Sequence, residues 1–235
     1  MNIETARDFG YQTEILFPPV RFGETALKEF AFNLDRRGVS YNQSRFGDSA
    51  LELTQASTSS AETSRYVLKT DRVAVVHENV ERLGFEIFCE KVEIISKMLV
   101  ESFRMPFLLG QTHVIRKIVN PAGASDARLY LLDTVCRFGE EKRRAFMRPV
   151  HGFGLRFVFP ATPEDPTEFD VKVESFLRDG RLLYLENVGR FHAPVVAQNL
   201  AALRAGLDRT NTFLREQMAS FFAQFEAGEG GPGPA

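Results

Sequence analysis

Apolar residues change their spacing several times along the chain, and each change marks an element. Glu14-Ile15-Leu16-Phe17 runs into Pro18-Pro19, which ends a first strand or confines it to an edge, because proline donates no ladder hydrogen bond. Leu27, Phe30, Ala31 and Leu34 then fall at helical spacing, with Thr25 as a cap and Gly38 as a left-handed stop. Short alternating runs follow: Val39, Tyr41 and Gln43; Leu51 and Leu53 beyond a Gly47-Asp48 turn; Tyr66 and Leu68; and Val73 to Val76 after Thr70-Asp71. Their period of two predicts strands, and the polar run from Ser57 to Ser64 reads as a hairpin connection. Phe85, Phe88, Val92, Ile95 and Leu99 step by three and four along a helix of about five turns. Glu86, Glu90, Glu93 and Lys97 occupy its other face, and Pro106 stops it.

The same order then recurs. Thr112 to Val119 is a β-branched, apolar strand ending at Asn120-Pro121, and Ser125 caps a helix carrying Leu129, Leu132, Val135 and Cys136 that Gly139 ends. Phe153 to Phe159 is a strand closed by Pro160, and Phe169, Val171, Val173 and Ser175 alternate with charged residues. Asp179-Gly180 is a tight-turn signal into a strand over Arg181 to Val188. A last helix starts near Pro194 and carries Val196, Leu200, Leu203, Leu207, Leu214, Met218, Phe221 and Phe225, about 45 Å if unbroken.

Strand, helix, strands and helix thus occur twice, near 12–103 and 111–226. The fold class expected is α+β: two similar halves, 1–105 and 106–226, each a strand, a helix, antiparallel strands and a long helix, with one sheet face covered by helices. The remainder, 227–235, reads as a disordered end. This element order resembles the tandem half-domains of the TATA-binding-protein-like fold, and the first half resembles the helix-grip arrangement, in which a sheet curls around a long terminal helix. A second resemblance rests on Leu68 to Val76 followed by a long helix, on Arg116 to Asn120 closing a strand, and on a last helix with Leu207, Phe213, Met218 and Phe222. These features are similar to those of a sporadically distributed family of bacterial proteins of like length. That family carries no assigned activity, so the resemblance implies a fold and supplies no catalytic residue.

Composition narrows the class. With 235 residues, 44% hydrophobic and 26% charged, the chain is neither disordered, collagenous nor a coiled-coil rod. A net charge of −2 argues against a dedicated nucleic-acid or membrane-surface protein. No apolar run reaches the length of a membrane span, and the first residues, Met1-Asn2-Ile3-Glu4-Thr5, carry acid where a secretion signal needs an apolar core. Only Cys89 and Cys136 are cysteines, both expected to be buried small hydrophobes of a reduced, cytoplasmic protein.

Few residues suggest chemistry. Gly152-Phe153-Gly154 leads into a strand and lacks the helix N-terminus of a phosphate cradle, no histidine pair or cysteine pair has metal-ligand spacing, and no serine sits in a nucleophile elbow. No cofactor or metal is therefore expected. His77, His113, His151 and His192 each fall at or near a strand, where separate, hydrogen-bonded rings are the ordinary outcome. The candidate ligand-binding residues are His113 with Arg116 beside it, and His151 with Arg156. Arg137, Lys142, Arg143, Arg144 and Arg148 form the densest basic run, and Lys142, Arg143 and Arg144 are the candidate phosphate or nucleic-acid patch, set against Glu140 and Glu141.

The 22 phenylalanines and absent tryptophan point to a core of rings, and Phe17, Phe22, Phe30, Phe32, Phe46, Phe85 and Phe88 could line a cavity in the first half. On the last helix, Phe213, Met218, Phe222 and Phe225 widen the apolar stripe beyond the one seam that holds Leu214, and together with Leu214 they are the candidate partner interface. The expected function is a non-catalytic binding or assembly protein acting through protein contacts, self-association included. The alternative is a small-molecule binder or enzyme of helix-grip type with an apolar pocket.

Overall fold

The computed structural model describes residues 6–80, 83–121 and 123–226, so the tail expected over 227–235 and the extreme N-terminus lie outside the described residues. The first half is β1 (Arg7–Leu16), α1 (Glu24–Arg36), β2 (Gln43–Gly47), β3 (Ala50–Ala56), β4 (Thr63–Leu68), β5 (Arg72–Glu78) and α2 (Phe85–Phe103). A two-residue β6 (Phe107–Leu108) precedes β7 (Gly110–Val119), α3 (Ala127–Leu129) and a π-helical turn over Tyr130–Val135. Next come α4 (Glu140–Arg144), β8 (Gly154–Phe159), β9 (Thr167–Ser175), β10 (Leu183–Phe191) and β11 (Val195–Val196), which pairs with β6. The chain closes with α5 (Ala201–Thr212), a π-helical segment over Phe213–Gln217, and α6 (Met218–Glu226).

Among the described residues nine strands form one sheet in the order β2-β3-β4-β5-β1-β7-β10-β9-β8, and every pairing in it is antiparallel. β1 and β7 meet at its centre, each flanked by its own half: β5 and β4 on one side, β10 and β9 on the other. β3 and β8 come next outward, and among the described residues only β3 has a further strand, β2, beyond it. The α+β class, with helices on one sheet face, is as the patterning expects.

Alternation fixes what faces those helices. Tyr11, Thr13 and Ile15 lie opposite His77, Val75 and Val73 on one side and Ile115, His113 and Gln111 on the other. All of these point towards the helices, where Tyr11 packs against Phe88 of α2 at 5.2 Å between ring centres. Phe22 and Phe30 pack on Phe103 at 4.4 and 5.3 Å. The first-half rings are thus core, while Phe32 turns outward under Arg36. α5 lies directly on β10 because Gly189 has no side chain: a Cβ there would collide with Thr210 Oγ1.

Several elements differ from expectation. Gly23 stands at the α1 N-cap and Asp126 caps α3, accepting from the amides of Arg128 (2.9 Å) and Leu129 (3.1 Å), where Thr25 and Ser125 were expected. Val39 is buried ahead of β2, which begins only at Gln43. The helix expected to reach Gly139 ends at Val135 after its wide turn, leaving Cys136 exposed, not buried. α2 stops at Arg104, which takes the left-handed conformation (φ 52°) before Pro106 is reached. The last helix is interrupted by wider turns over Phe213–Gln217, so its stripe rotates as it proceeds.

Candidate functional site

The residues picked out by sequence are divided between the two sheet faces. His113 is fully buried under α5: the Thr13 hydroxyl donates to its Nδ1 (3.0 Å), and its Nε2 donates to Gln111 Oε1 (2.7 Å), whose amide donates to the Ala202 carbonyl (3.2 Å). Burial lowers the imidazole pKa to about 3, so the ring is a neutral, satisfied part of the core. Arg116 is three residues along the same strand and therefore on the opposite face. The pair expected to share a ligand does not meet. His151 lies in the exposed segment ahead of β8, and Arg156 lies in β8 on the same open face as Arg116 but with β10 and β9 between them.

Both arginines are occupied. Arg116 Nε donates to Glu186 Oε2 (2.8 Å), and Lys172 Nζ and the Tyr184 hydroxyl complete the shell of that carboxylate, each at 2.8 Å. Burial alone would raise the Glu186 pKa, but the hydrogen bonds from Lys172, Arg116 and Tyr184 hold it below the usual range. Arg156 grips Asp170 with both arms of its fork, at 2.9 and 2.7 Å, and this bond lowers the carboxylate pKa. The open face is thus a lattice of matched charges.

The basic run is likewise engaged. Arg143 pairs with Asp133 and donates to the Phe138 carbonyl, Arg144 pairs with Glu140 at 3.0 Å, and Lys142 lies 6.0 Å from the Phe138 ring centre. Among the described residues no three His, Cys, Asp or Glu side chains converge closely enough to hold a metal ion, and no helix is long and apolar enough to cross a membrane.

The stripe expected to meet a partner is covered by the chain itself. Leu214, Met218 and Phe222 are core residues; Phe213 stacks on Phe169 at 4.2 Å and packs on Phe159 at 5.0 Å, while Phe221 packs on Phe157 at 5.2 Å and on Phe225 at 5.2 Å. The correction has a simple cause: β8 supplies rings that use up the surplus width.

Apolar surface is instead exposed at the outer end of the second half. Leu132, Cys136, Phe138, Phe146, Pro149 and Phe153 are the apolar walls of a groove of about 480 Å³. In its wall Phe146 is 57% exposed, and the next residue along the chain, Met147, is 92% exposed and left-handed (φ 53°). The adjoining β8 ends the sheet, and no strand pairs with its outer edge among the described residues. Its Val158 is 64% exposed.

Neither known families nor curated proteins name this surface. No protein-family model matches the chain, and no curated protein matches it significantly.

The groove was missed because its residues sit within a charged run that reads as a solvated connection. The available signal was Phe138, Phe146 and Met147, large apolar residues placed among Glu140, Glu141, Lys142, Arg143, Arg144 and Arg148. A segment that only connects a helix to a strand has no need of them.

Proposed function

We propose that this is a non-catalytic binding or assembly protein that acts through contact with another protein chain, made at the exposed apolar end of the second half. The carrying observation is the groove with the half-exposed Phe146 in its wall and the nearly free Met147 next to it in sequence: such apolar surface is what a helix or strand of a partner would cover. The buried charges of the open face support the same reading, since Glu186, Asp170 and their cations satisfy one another. A photo-reactive amino acid placed at Met147 in the full chain should form adducts with a protein in cells, and Phe146→Asp should abolish them without changing the melting temperature. Absence of adducts from a folded chain, or adducts indifferent to Phe146→Asp, refutes the reading.

A second reading follows from the same groove: its volume and apolar walls also suit a small apolar ligand. Native mass spectrometry separates the two. A ligand mass retained on the purified chain and expelled by Cys136→Trp, which fills the groove from an exposed position, would favour the small molecule.

A further inference from the structure

We infer that the chain pairs with a second copy of itself along β8, the two strands running antiparallel about a twofold axis at Phe157 and joining two sheets edge to edge. The inference rests on the assembly reading above and names its partner.

The free edge is defined by the β9 ladder. The Ser175 amide donates to the Phe153 carbonyl (2.9 Å), and the register from Gly154↔Glu174 to Phe159↔Phe169 is unbroken. Hydrogen-bonded pairs alternate in an antiparallel ladder, so Leu155, Phe157 and Phe159 turn their main-chain groups towards β9. Gly154, Arg156 and Val158 turn theirs outward. An axis at Phe157 sets Arg156 opposite Val158 of the second copy, and those pairs exchange both main-chain hydrogen bonds. Phe157 then meets its own counterpart in the closer, non-hydrogen-bonded pair, and Leu155 meets Phe159 on the helix-facing side. The outward amide of Gly154 comes opposite Pro160, which offers a carbonyl and has no donor to leave idle.

Side chains and charge agree with that register. No guanidinium faces another across the axis, and each Arg156 is already neutralised by Asp170. The Arg156 stem would lie over Val158 of the other copy, which is 64% exposed. About Phe157, Leu155 faces Phe159 and Phe157 faces itself on one side, and Arg156 faces Val158 on the other, so apolar meets apolar and no like charges are set opposite each other. The edge can therefore serve as its own complement.

The opposite margin of the sheet points the same way. β2, Gln43-Ser44-Arg45-Phe46-Gly47, is short, polar and exposed, as a protected edge is. β8 carries one charge, already paired, and no proline or bulge within it. Pairing through β8 alone closes at two copies, because both β2 edges face outward.

The test measures dimerisation of the full chain by sedimentation equilibrium, with a variant at Val158, whose side chain is exposed and whose N–H points away from β9. The expected result is a wild-type dimer. Val158→Pro deletes an outward donor only and should give a monomer with unchanged circular dichroism. A wild type still monomeric at about 100 μM, a species larger than a dimer, or a folded Val158→Pro variant that still dimerises overturns the inference. A monomer that still forms Met147 adducts overturns the dimer alone, whereas loss of those adducts from an intact dimer overturns the groove reading alone.

Discussion

Acid should unfold this protein through two histidines that the native state keeps neutral. His77 lies on the helix-facing side of β5, fully buried against Phe88 (5.0 Å) and Tyr66 (6.2 Å), and neither of its ring nitrogens has a hydrogen-bond partner among the described residues. Burial, aided by the Lys91 charge on α2, lowers its pKa to about 3, and burial does the same to His113. In the unfolded chain both titrate near the ordinary value of 6.5. Between those values the unfolded state takes up a proton that the native state refuses, so stability is full above pH 6.5 and is lost as pH falls towards 3. From pH 7 to pH 5 each ring costs about 2 kcal/mol, and the pair about 4 kcal/mol. That is a large part of the 5–15 kcal/mol or so that holds a domain together. His77→Leu keeps the bulk, removes two unsatisfied nitrogens and should remove half of this dependence. Urea unfolding of both proteins at pH 7 and pH 5 is the assay. Relative to wild type, His77→Leu should gain about 2 kcal/mol on acidification, while carboxylates common to both cancel from the comparison. Parallel pH curves for the two proteins would falsify the reasoning.

Two further outcomes follow from burial. Leu214 is a fully buried core residue, so Leu214→Ala should cost about 2–5 kcal/mol, read as a fall in the urea midpoint; a loss under about 1 kcal/mol would mean that the residue is surface, as a docking role requires. Native protein should react with a thiol reagent at Cys136 and not at Cys89, which is buried with its pKa raised to about 12, and the second thiol should appear only in denaturant.

Much of the architecture was legible because period and punctuation agreed. The alternating runs from Leu51 to Val76 and from Phe153 to Val188 became β3–β5 and β8–β10, and the stretch from Phe85 to Leu99 became α2. Where expectation failed, a three-dimensional neighbour decided. His113 and Arg116 are close in sequence and sit on opposite faces, a separation already contained in an odd spacing along a strand. Met218 and Phe222 looked like surplus because the stripe was measured against one seam, whereas β8 brings Phe157 and Phe159 against the same helix. Cys136 came out exposed because the chain leaves helical geometry after Val135, and nothing in the spacing of Leu129, Leu132 and Val135 signals that wider turn.

The two halves diverge at the place where the protein contact is proposed. β3 and β8 hold equivalent positions, each separated from a central strand by two others. β3 is covered by β2, whose polar sequence then presents a poor template to another chain. In the second half the chain between the central strand and β8 is spent on the π-helical turn, α4 and the segment bearing Phe146 and Met147, and among the described residues no strand is laid beside β8. One half therefore finishes its own edge, and the other builds a groove and leaves Gly154-Leu155-Arg156-Phe157-Val158-Phe159 open next to it. An unpaired apolar strand invites aggregation unless something specific occupies it, and a self-complementary register limits that occupation to one further copy. The missing strand and the exposed groove are then two consequences of one difference between the halves.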